Sequence, residues 1–330
     1  MKLNELAKAV ARALPPNHSI LCYGPPKSGK TELIGTAAKL PEIHNIYWFD
    51  LENGSETLLH MGLTEDELAK ITIFRLKDRP DKPIAIQTML RVFSAKQAIN
   101  ICDEHGIVEC IDCKRLGVGS TPFWLGQCTH NDLVVIDSGS QLGDSALIAA
   151  CMQTGNTMKP GWDEYGPQGK WLAEILTVIQ QAAWTNFIVL THELIYEEEI
   201  NGVKRDKIVP LMGSKNFSLK VAKYFGTVVY LHMFLGKHAA GSSTTYKNET
   251  LTGSRLNVAI EKSKEKDMRA ILIEGGILRQ DNSSKEQVAP ASVRPAVALV
   301  APVVSAVPVT EVAAKKVTSL AAILNAKKGK

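Results

Sequence analysis

Residues 19–31 read SILCYGPPKSGKT, a strand-like apolar run that leads into a glycine-rich loop. The loop has the form G-x-x-x-x-G-K-[ST], and a helical pattern follows it. Its members are Gly24, Pro25, Pro26, Lys27, Ser28, Gly29, Lys30 and Thr31, with Glu32 next in the helical pattern. The glycines let the backbone curl so that successive N–H groups face one anion, and the amino end of the helix adds positive charge. The motif therefore predicts a phosphate-binding loop between a strand and a helix.

The two residues that close this loop indicate which phosphate compound binds. Lys30 is placed to reach the β- and γ-phosphates of a nucleotide, and the Thr31 hydroxyl is placed to ligate Mg²⁺. The alternative is a fortuitous glycine-rich turn, which does not explain why the strand and the helix flank it in the required order. We therefore expect the chain to bind ATP with Mg²⁺.

Polar side chains end three further apolar runs. Asp137 ends the run LVVI, where a carboxylate at the carboxyl edge of a parallel sheet helps to hold Mg²⁺. Glu52 lies in the triplet D-L-E after another run and is placed to deprotonate a water that attacks the γ-phosphate. His192 follows the run FIVLT and is placed to hydrogen-bond that phosphate. The alternatives are a strand-end cap for Asp137, a polar surface turn for Glu52 and an ordinary strand-end histidine for His192.

Short apolar runs alternate with helical patterns along the chain. Strands are predicted at Ser19–Tyr23, Asn45–Phe49, Ile71–Leu76, Leu133–Ile136, Phe187–Leu190 and Thr227–Leu231, and helices at about Lys30–Leu40, Ile84–Cys102 and Trp171–Ala183. Such alternation predicts an α/β fold with a mostly parallel sheet covered on both faces. An antiparallel pair, Asn257–Ile260 with Ala270–Glu274, is expected beside it.

The composition is that of an ordinary soluble protein. The chain has 330 residues, of which 45% are hydrophobic and 22% charged, which excludes a collagen, a wholly disordered chain and a membrane channel. The net charge is +4, and from Asn282 onward seven basic residues face two acidic ones, so the body is near neutral. A broad basic face for nucleic acid is therefore not expected, although local patches are compatible with this balance.

Neither a signal peptide nor a membrane span is expected from the sequence. Charged residues interrupt the first apolar positions, and no apolar run approaches the length of a span. Six cysteines without an export signal favour a reducing compartment, so we expect a cytoplasmic protein that does not act at a membrane.

Changes in composition divide the chain into four parts. We expect an N-terminal helix over residues 1–16, a core over 17–281, an Ala/Val/Pro-rich linker over 282–314 and a basic amphipathic tail over 315–330. Four prolines favour an extended, disordered linker. The tail is either a solvated end or a tethered peptide that docks on a protein partner or on nucleic acid.

A cysteine-rich insert, residues 102–131, interrupts the core. It contains His105, the knuckle Cys110-Ile-Asp-Cys113, and the pair Cys128-Thr-His130. Cys110, Cys113 and Cys128 with His105 or His130 would hold a structural Zn²⁺, because a C-x-x-C knuckle and a return pair complete a tetrahedron. The return is C-x-H and not C-x-x-C, so the alternative of reduced thiols in a surface excursion stays open.

Over residues 16–280 these segments resemble a RecA-like P-loop ATPase core. The resemblance rests on the phosphate loop, the D-L-E triplet, the Asp137 strand and the sequence LTHE at 190–193. The chain is most similar to phage-encoded RecA-like recombinase and single-strand annealing ATPases of the AAA type. The resemblance implies Glu52 as the catalytic glutamate and His192 in place of the polar γ-phosphate sensor. For a phage-encoded chain it also implies the host cytoplasm.

A late segment extends this resemblance to a second subunit. Residues 257–264, NVAIEKSK, followed by RAILIEGG from Arg269, resemble the paired-lysine hairpin of RecA filaments, in which two lysines of one subunit reach the nucleotide of the next. The resemblance implies that Lys262 and Lys264 act in trans in a ring or filament. Two lysines two residues apart on a strand point the same way, as that role requires. The alternative is a lysine-rich edge strand that resists aggregation.

The resemblance also implies two segments that face single-stranded DNA, Gly139–Gly161 and Leu194–Phe217. The glycines and the proline near the end of the first are typical of a mobile loop. The second offers cations for phosphates and Phe217 for stacking on a base. Its cations are Lys204, Arg205, Lys207 and Lys215, with Lys220 just beyond. The acids at 197–199 depart from this pattern because they repel a phosphate backbone.

The function expected from these features is a Mg²⁺-dependent, DNA-stimulated ATPase that works as an oligomer on single-stranded DNA in recombination or annealing. One alternative is a non-hydrolysing ATP-gated adaptor whose tail recruits a replication or packaging partner. A P-loop kinase is less favoured, because no arginine-rich lid segment is present and the D-L-E triplet suits water activation better.

Overall fold

The computed structural model describes residues 18–156, 160–182, 184–200, 202–234, 237–241, 248–254, 264–265 and 267–278. Several predicted features lie outside these residues: the N-terminal helix, the strand Asn257–Ile260, Lys262, the linker and the tail. Within the described residues, no helix is both long and apolar enough to cross a bilayer.

Fourteen strands and eight α-helices form in the described residues. The strands are β1 Ser19–Tyr23, β2 Asn45–Asp50, β3 Ile71–Arg75, β4 Ile99–Cys102, β5 Ser120–Phe123, β6 Asp132–Asp137, β7 Asn186–Thr191, β8 Glu193–Ile200, β9 Val203–Pro210, β10 Thr227–Phe234, β11 Lys237–Gly241, β12 Asn248–Thr250, β13 Gly253–Ser254 and β14 Lys264–Glu265. The helices are α1 Lys30–Gly35, α2 Glu65–Ala69, α3 Ile84–Ser94, α4 Ile111–Leu116, α5 Gly139–Thr154, α6 Trp162–Gln181, α7 Lys215–Ser218 and α8 Met268–Glu274. Short 3₁₀ helices form at Thr36–Lys39, Gly54–His60, Leu125–Gln127 and Val221–Tyr224.

The largest sheet has the order β14-β11-β10-β1-β7-β6-β2-β3, and β13 also pairs with β10. Every pair from β10 to β3 is parallel. The pairs of β11 with β10 and with β14, and of β13 with β10, are antiparallel. All six predicted strands form, and the predicted α/β class with a mostly parallel sheet is confirmed.

The strands of this sheet are apolar at nearly every position because both faces are buried. In β7, Phe187 and Val189 point into one hydrophobic cluster and Ile188 and Leu190 into the other. Helices α3, α5 and α6 cover the first face, and α1 and α8 cover the second. A strand that is buried on both sides has no polar alternation, which explains the continuous apolar runs in the sequence.

The expected strand Ala270–Glu274 is wrong, because these residues belong to helix α8. Asp267 caps the helix by accepting a 2.8 Å hydrogen bond from the Ala270 N–H. Met268, Ile271 and Leu272 are at most 1% exposed and pack on the second face of the sheet. Their i, i+3, i+4 spacing is that of a helix, and burial of this stripe outweighs the β-propensity of the isoleucines.

Three further boundaries differ from the prediction. Helix α3 ends at Ser94, and the expected helical residues 99–102 form β4, whose alternating isoleucines pair antiparallel with β5. Helix α6 begins at Trp162, nine residues before the predicted start at Trp171. Most of Gly139–Gly161 is not a mobile loop but helix α5, which the Ser138 side chain caps at its amino end.

Two small sheets stand apart from the large one. Strands β8 and β9 form a long hairpin, and β12 adds to it in parallel. Strands β4 and β5 form the base of the cysteine-rich insert.

Alanine substitutions in α8 will show whether residues 268–274 form a helix or a strand. Ile271→Ala and Leu272→Ala will each lower the free energy of unfolding by about 2–5 kcal/mol, because both side chains are fully buried. The half-buried Ile273 is the matched control, and Ile273→Ala will cost clearly less. The measurement is urea unfolding followed by circular dichroism. Equal losses at Ile271 and Ile273, which share one face of a strand, would contradict the helix.

Candidate active site

The carboxyl ends of four parallel strands converge at one edge of the large sheet. Strand β1 ends at the phosphate loop, β2 at Asp50, β6 at Asp137 and β7 at Thr191. Tyr23 is level with Thr191, Asp50 with Asp137, and Asp137 with Leu190, so these ends lie within one residue of the same level. The structure therefore brings together the loop, Glu52, Asp137 and His192, as the sequence predicted.

The phosphate loop is fixed to both strands beside β1. The Gly24 N–H donates to the Thr191 carbonyl oxygen at 3.3 Å. On the other side, a Cβ added at Gly24 would lie 1.9 Å from the carbonyl oxygen of Leu231 in β10, so only glycine fits there. The Leu33 N–H donates to the Gly29 carbonyl at 2.9 Å, which joins the loop to the first turn of α1.

Lys30 is 8% exposed and folds back into the loop. Its ammonium donates to the carbonyl oxygens of Gly24 at 3.1 Å and Pro25 at 2.8 Å. Burial lowers the pKa of Lys30, while the carboxylates of Asp137, Glu52 and Glu193 act in the opposite direction. The ammonium also lies 3.5 Å from the Ser28 hydroxyl. A buried ammonium that is held by neutral carbonyl and hydroxyl oxygens fits a site for an anionic phosphate.

Thr31 and Asp137 supply the oxygen ligands expected for Mg²⁺. The Thr31 hydroxyl donates to Asp137 Oδ2 at 2.8 Å. Burial raises the pKa of Asp137 to about 7, and the nearby carboxylates of Glu52 and Asp50 add to this effect. Hard oxygen donors in a pocket of excess negative charge fit a divalent cation, because the cation would offset the repulsion between these carboxylates.

Asp50 organises the turn that carries Glu52, a role that the sequence analysis missed. It is 1% exposed, and its carboxylate accepts hydrogen bonds from the N–H groups of Glu52 at 3.2 Å, Gly54 at 3.0 Å and Ser55 at 3.1 Å. An aspartate directly before a glycine-containing turn was the available signal. The Asp50 carboxylate is therefore occupied by the backbone N–H groups of this turn. The Glu52 carboxylate is the acid that can take part in proton transfer.

Glu52 is held by two side chains from the neighbouring strand ends. Ser138, a contact that the sequence analysis also missed, donates a hydrogen bond to its carboxylate, and His192 Nε2 lies 3.2 Å from it. Burial alone would raise the pKa of Glu52, but the hydrogen bonds from His192 and Ser138 outweigh burial and hold it below its ordinary value. The carboxylate is therefore ionised at neutral pH, as a general base must be.

His192 is itself fixed at the end of β7. Its backbone N–H donates to Ser140 Oγ at 2.8 Å. Its Nδ1 is buried with no hydrogen-bond partner among the described residues. The ring thus links the end of β7 to Glu52 through its Nε2.

The cations predicted to bind DNA are largely compensated within the hairpin of β8 and β9. Lys204 forms an ion pair with Glu197 at 2.8 Å, and Lys207 one with Glu198 at 2.5 Å. Lys215 lies over the Tyr196 ring, 5.0 Å from its centroid. Strands β8 and β9 together contain five acidic and three basic residues, so this hairpin has a net charge of −2 and does not attract phosphates.

Two aromatic residues differ in how much of their ring is open to a base. Phe217 is half-buried, packs on the hydrophobic core and lies beside the Tyr224 ring. Trp162, at the amino end of α6, is 87% exposed. Because α6 leads back to the start of β7, its amino end lies toward the edge of the sheet that carries the phosphate loop.

The structure separates the predicted zinc ligands. His105, Cys110 and Cys113 lie together with Cys102, which the prediction did not include. Cys128 is instead 4% exposed within the main hydrophobic core, because the 3₁₀ turn Leu125–Gln127 directs it inward. His130, the alternative ligand, is exposed outside this group.

Removal of the Lys30 ammonium will weaken nucleotide binding. Lys30→Ala is expected to reduce the affinity for Mg²⁺-ATP by about 10-fold or more, since a charge-assisted hydrogen bond contributes about 1.5–3 kcal/mol. The exposed Lys27 in the same loop is the matched control, and Lys27→Ala will change the affinity little. Titration with a fluorescent ATP analogue measures both. Equal weakening in the two variants would show that the loop acts only through its overall charge.

The solved structures that are similar to this chain include three with low TM-scores. An ATPase from the type III secretion system of pathogenic bacteria has a TM-score of 0.36 at 14% identity, over 66% of this chain and 51% of its own length. The RadB recombinase has a TM-score of 0.34 at 17% identity, over 75% of this chain and 90% of its own. The flagellar accessory protein FlaH from Methanocaldococcus jannaschii has a TM-score of 0.33 at 11% identity, over 80% of this chain and 90% of its own length. The match thus spans about half the length of the secretion ATPase.

Comparison by sequence gives a family. No curated protein matches the chain. The family model described as AAA domain matches residues 16–256, which include the phosphate loop, Glu52, Asp137 and His192. The chain therefore belongs to this AAA domain family, and the matched residues form a P-loop ATPase domain.

Proposed function

We propose that this chain is a Mg²⁺-dependent ATPase of the RecA-like class that works as an oligomer on single-stranded DNA in recombination or annealing. The observation that carries the proposal is the position of Glu52, which Ser138 and His192 hold at the phosphate edge of the sheet. Binding of ATP alone needs no ionised, hydrogen-bonded carboxylate at this place, whereas activation of a water requires one.

Each residue of the site has a separate part in hydrolysis. Lys30 exchanges its two loop carbonyls for phosphate oxygens, and Glu52 accepts a proton from the attacking water. His192 orients the Glu52 carboxylate and responds to the phosphate through its own ring. Thr31 and Asp137 would hold Mg²⁺, which neutralises negative charge on the phosphates when it is bound.

The edge of the sheet supports an oligomer with a shared site. Among the described strands, β14, which contains Lys264, is the outermost on the β10 side. Three strand spacings separate β14 from β1, roughly 14 Å, so the strand is displaced from the loop of its own chain. We infer that Lys264, with Lys262, serves the nucleotide of a neighbouring subunit.

The exposed Trp162 supports contact with single-stranded DNA. An indole exposed at 87% at the edge of the sheet that carries the phosphate loop offers a stacking surface for a base. The hairpin of β8 and β9 has more acidic than basic residues, so stacking contributes more to DNA binding here than phosphate contacts do. Weak salt dependence of DNA binding follows from this arrangement.

Replacement of the general base tests the hydrolytic function. Glu52→Gln will keep Mg²⁺-ATP binding and lower steady-state turnover by about 100-fold or more, because the amide cannot accept the proton of the water. The measurement is phosphate release with and without single-stranded DNA, over a range of protein concentration. Wild-type turnover will rise with DNA, and more steeply than linearly with protein.

The exposed Glu56 of the next turn is the control, and Glu56→Gln will leave turnover unchanged. Unchanged turnover in Glu52→Gln would remove Glu52 as the base. Wild-type binding of ATP without hydrolysis, indifferent to DNA, would instead favour the ATP-gated adaptor.

Removal of the Trp162 indole tests the DNA contact. Trp162→Ala will weaken binding of a single-stranded oligonucleotide by about 1–3 kcal/mol, the contribution of one base on one aromatic ring. Trp184 is the control, because it is 44% exposed but precedes β7 at the opposite edge, where its indole N–H donates to the Leu125 carbonyl at 3.1 Å. Fluorescence anisotropy of a labelled oligonucleotide measures both variants. Equal losses would contradict a stacking role for Trp162.

A further inference from the structure

Four possible metal ligands meet at the far end of the cysteine-rich insert. One ligand atom from each of Cys102, His105, Cys110 and Cys113 lies within 4.8 Å of the other three. His105 Nδ1 is 3.1 Å from Cys113 Sγ and 3.8 Å from Cys110 Sγ. The spacing is C-x₂-H-x₄-C-x₂-C, two short pairs joined by a four-residue turn.

This arrangement has the dimensions of a tetrahedral zinc site. Zn–S bonds of about 2.3 Å and Zn–N bonds of about 2.0 Å place neighbouring ligand atoms roughly 3.5–3.8 Å apart. The measured separations bracket these values, so small side-chain movements would centre an ion. The His105 backbone N–H also lies 3.4 Å from Cys102 Sγ, and such N–H groups stabilise a metal-bound thiolate.

The end of the insert has almost no hydrophobic core of its own. Its buried cluster consists of Cys102, Cys110 and Cys113, against which Ile107 packs. The nearby apolar side chains of Ile111 and Leu116 on α4 are instead 80% and 71% exposed. Strands β4 and β5 pack on the main core through Ile101 and Phe123, but of the seventeen residues between these strands the main core contains only Val108. The other residues of this segment need another source of order.

The cluster is also tied to the body of the domain. At Gly106, between His105 and Cys110, φ is +68°, and an added Cβ would lie 2.2 Å from the Arg75 carbonyl oxygen. Thr88 of α3 donates to the Gly106 carbonyl at 2.7 Å, and Arg91 donates to the Val108 carbonyl at 3.2 Å. The turn between the two ligand pairs is therefore fixed in place before any metal binds.

We propose that Cys102, His105, Cys110 and Cys113 bind one Zn²⁺ as a structural site. All four positions of the tetrahedron come from the protein, so the ion has no open position for a substrate and serves to order the insert. Three thiols release their protons on binding, and the imidazole binds in its neutral form. The site goes beyond the proposed ATPase function and does not depend on it.

The test is the metal content of the full-length protein, purified without chelators from zinc-supplemented medium. Mass spectrometry of the elements will find about one zinc per chain, and little iron. Cys113→Ser will lose most of that zinc. Cys128→Ser will keep it, although both thiols are buried to the same degree, at 2% and 4% exposed. A chelator will lower the melting temperature of the wild type, and added zinc will restore it.

Two variants of His105 distinguish the loss of a metal ligand from a failure to fold. His105→Cys will retain zinc because a thiolate can replace the imidazole, whereas His105→Ala will lose it. A wild-type protein without zinc, with iron in its place, or with a disulfide between Cys110 and Cys113 would overturn the proposal. Equal loss of zinc from Cys128→Ser and Cys113→Ser would overturn the ligand assignment.

Discussion

In-register parallel pairing of β1, β7, β6 and β2 is the constraint on which the site depends. Tyr23 pairs with Thr191, Leu190 with Asp137, and Asp137 with Asp50. A slip of one residue in any of these ladders would exchange the two faces of a strand, each of which is buried in its own hydrophobic cluster. Burial on both faces therefore fixes the level of every strand end, and the acids, the hydroxyls and His192 meet there as a result.

Features that depend on local sequence and on burial on both faces were predictable. The six central strands, the phosphate loop and the convergence of Glu52, Asp137 and His192 follow from apolar runs and from the rule that parallel strands end at one edge. Helix α8 was not predicted, because RAILIE reads equally well as a strand. What decides its conformation is the stripe of Met268, Ile271 and Leu272 against the sheet, a tertiary contact that propensity does not contain.

The proposed zinc ligands and the proposed DNA contact show a second limit of prediction from sequence. The spacing indicated Cys128 as a ligand, because a return pair about fifteen residues after a knuckle is a common zinc pattern. The antiparallel pairing of β4 with β5 instead brings Cys102 beside the knuckle, and a turn buries Cys128 elsewhere. Likewise, the cations of the hairpin were visible in sequence, but their ion pairs with Glu197 and Glu198 depend on strand register.

The close contact between Gly24 and the Leu231 carbonyl has a mechanical consequence. Leu231 pairs with Ala240 in β11, and Ala240 pairs with Lys264 in β14, so one row of peptide groups crosses the sheet from the phosphate loop to its edge. Such a row is stiff along its hydrogen bonds, because the spacing between strands is nearly fixed. The phosphate loop and the backbone of Lys264 are therefore joined through one continuous row of paired residues, with no loop between them.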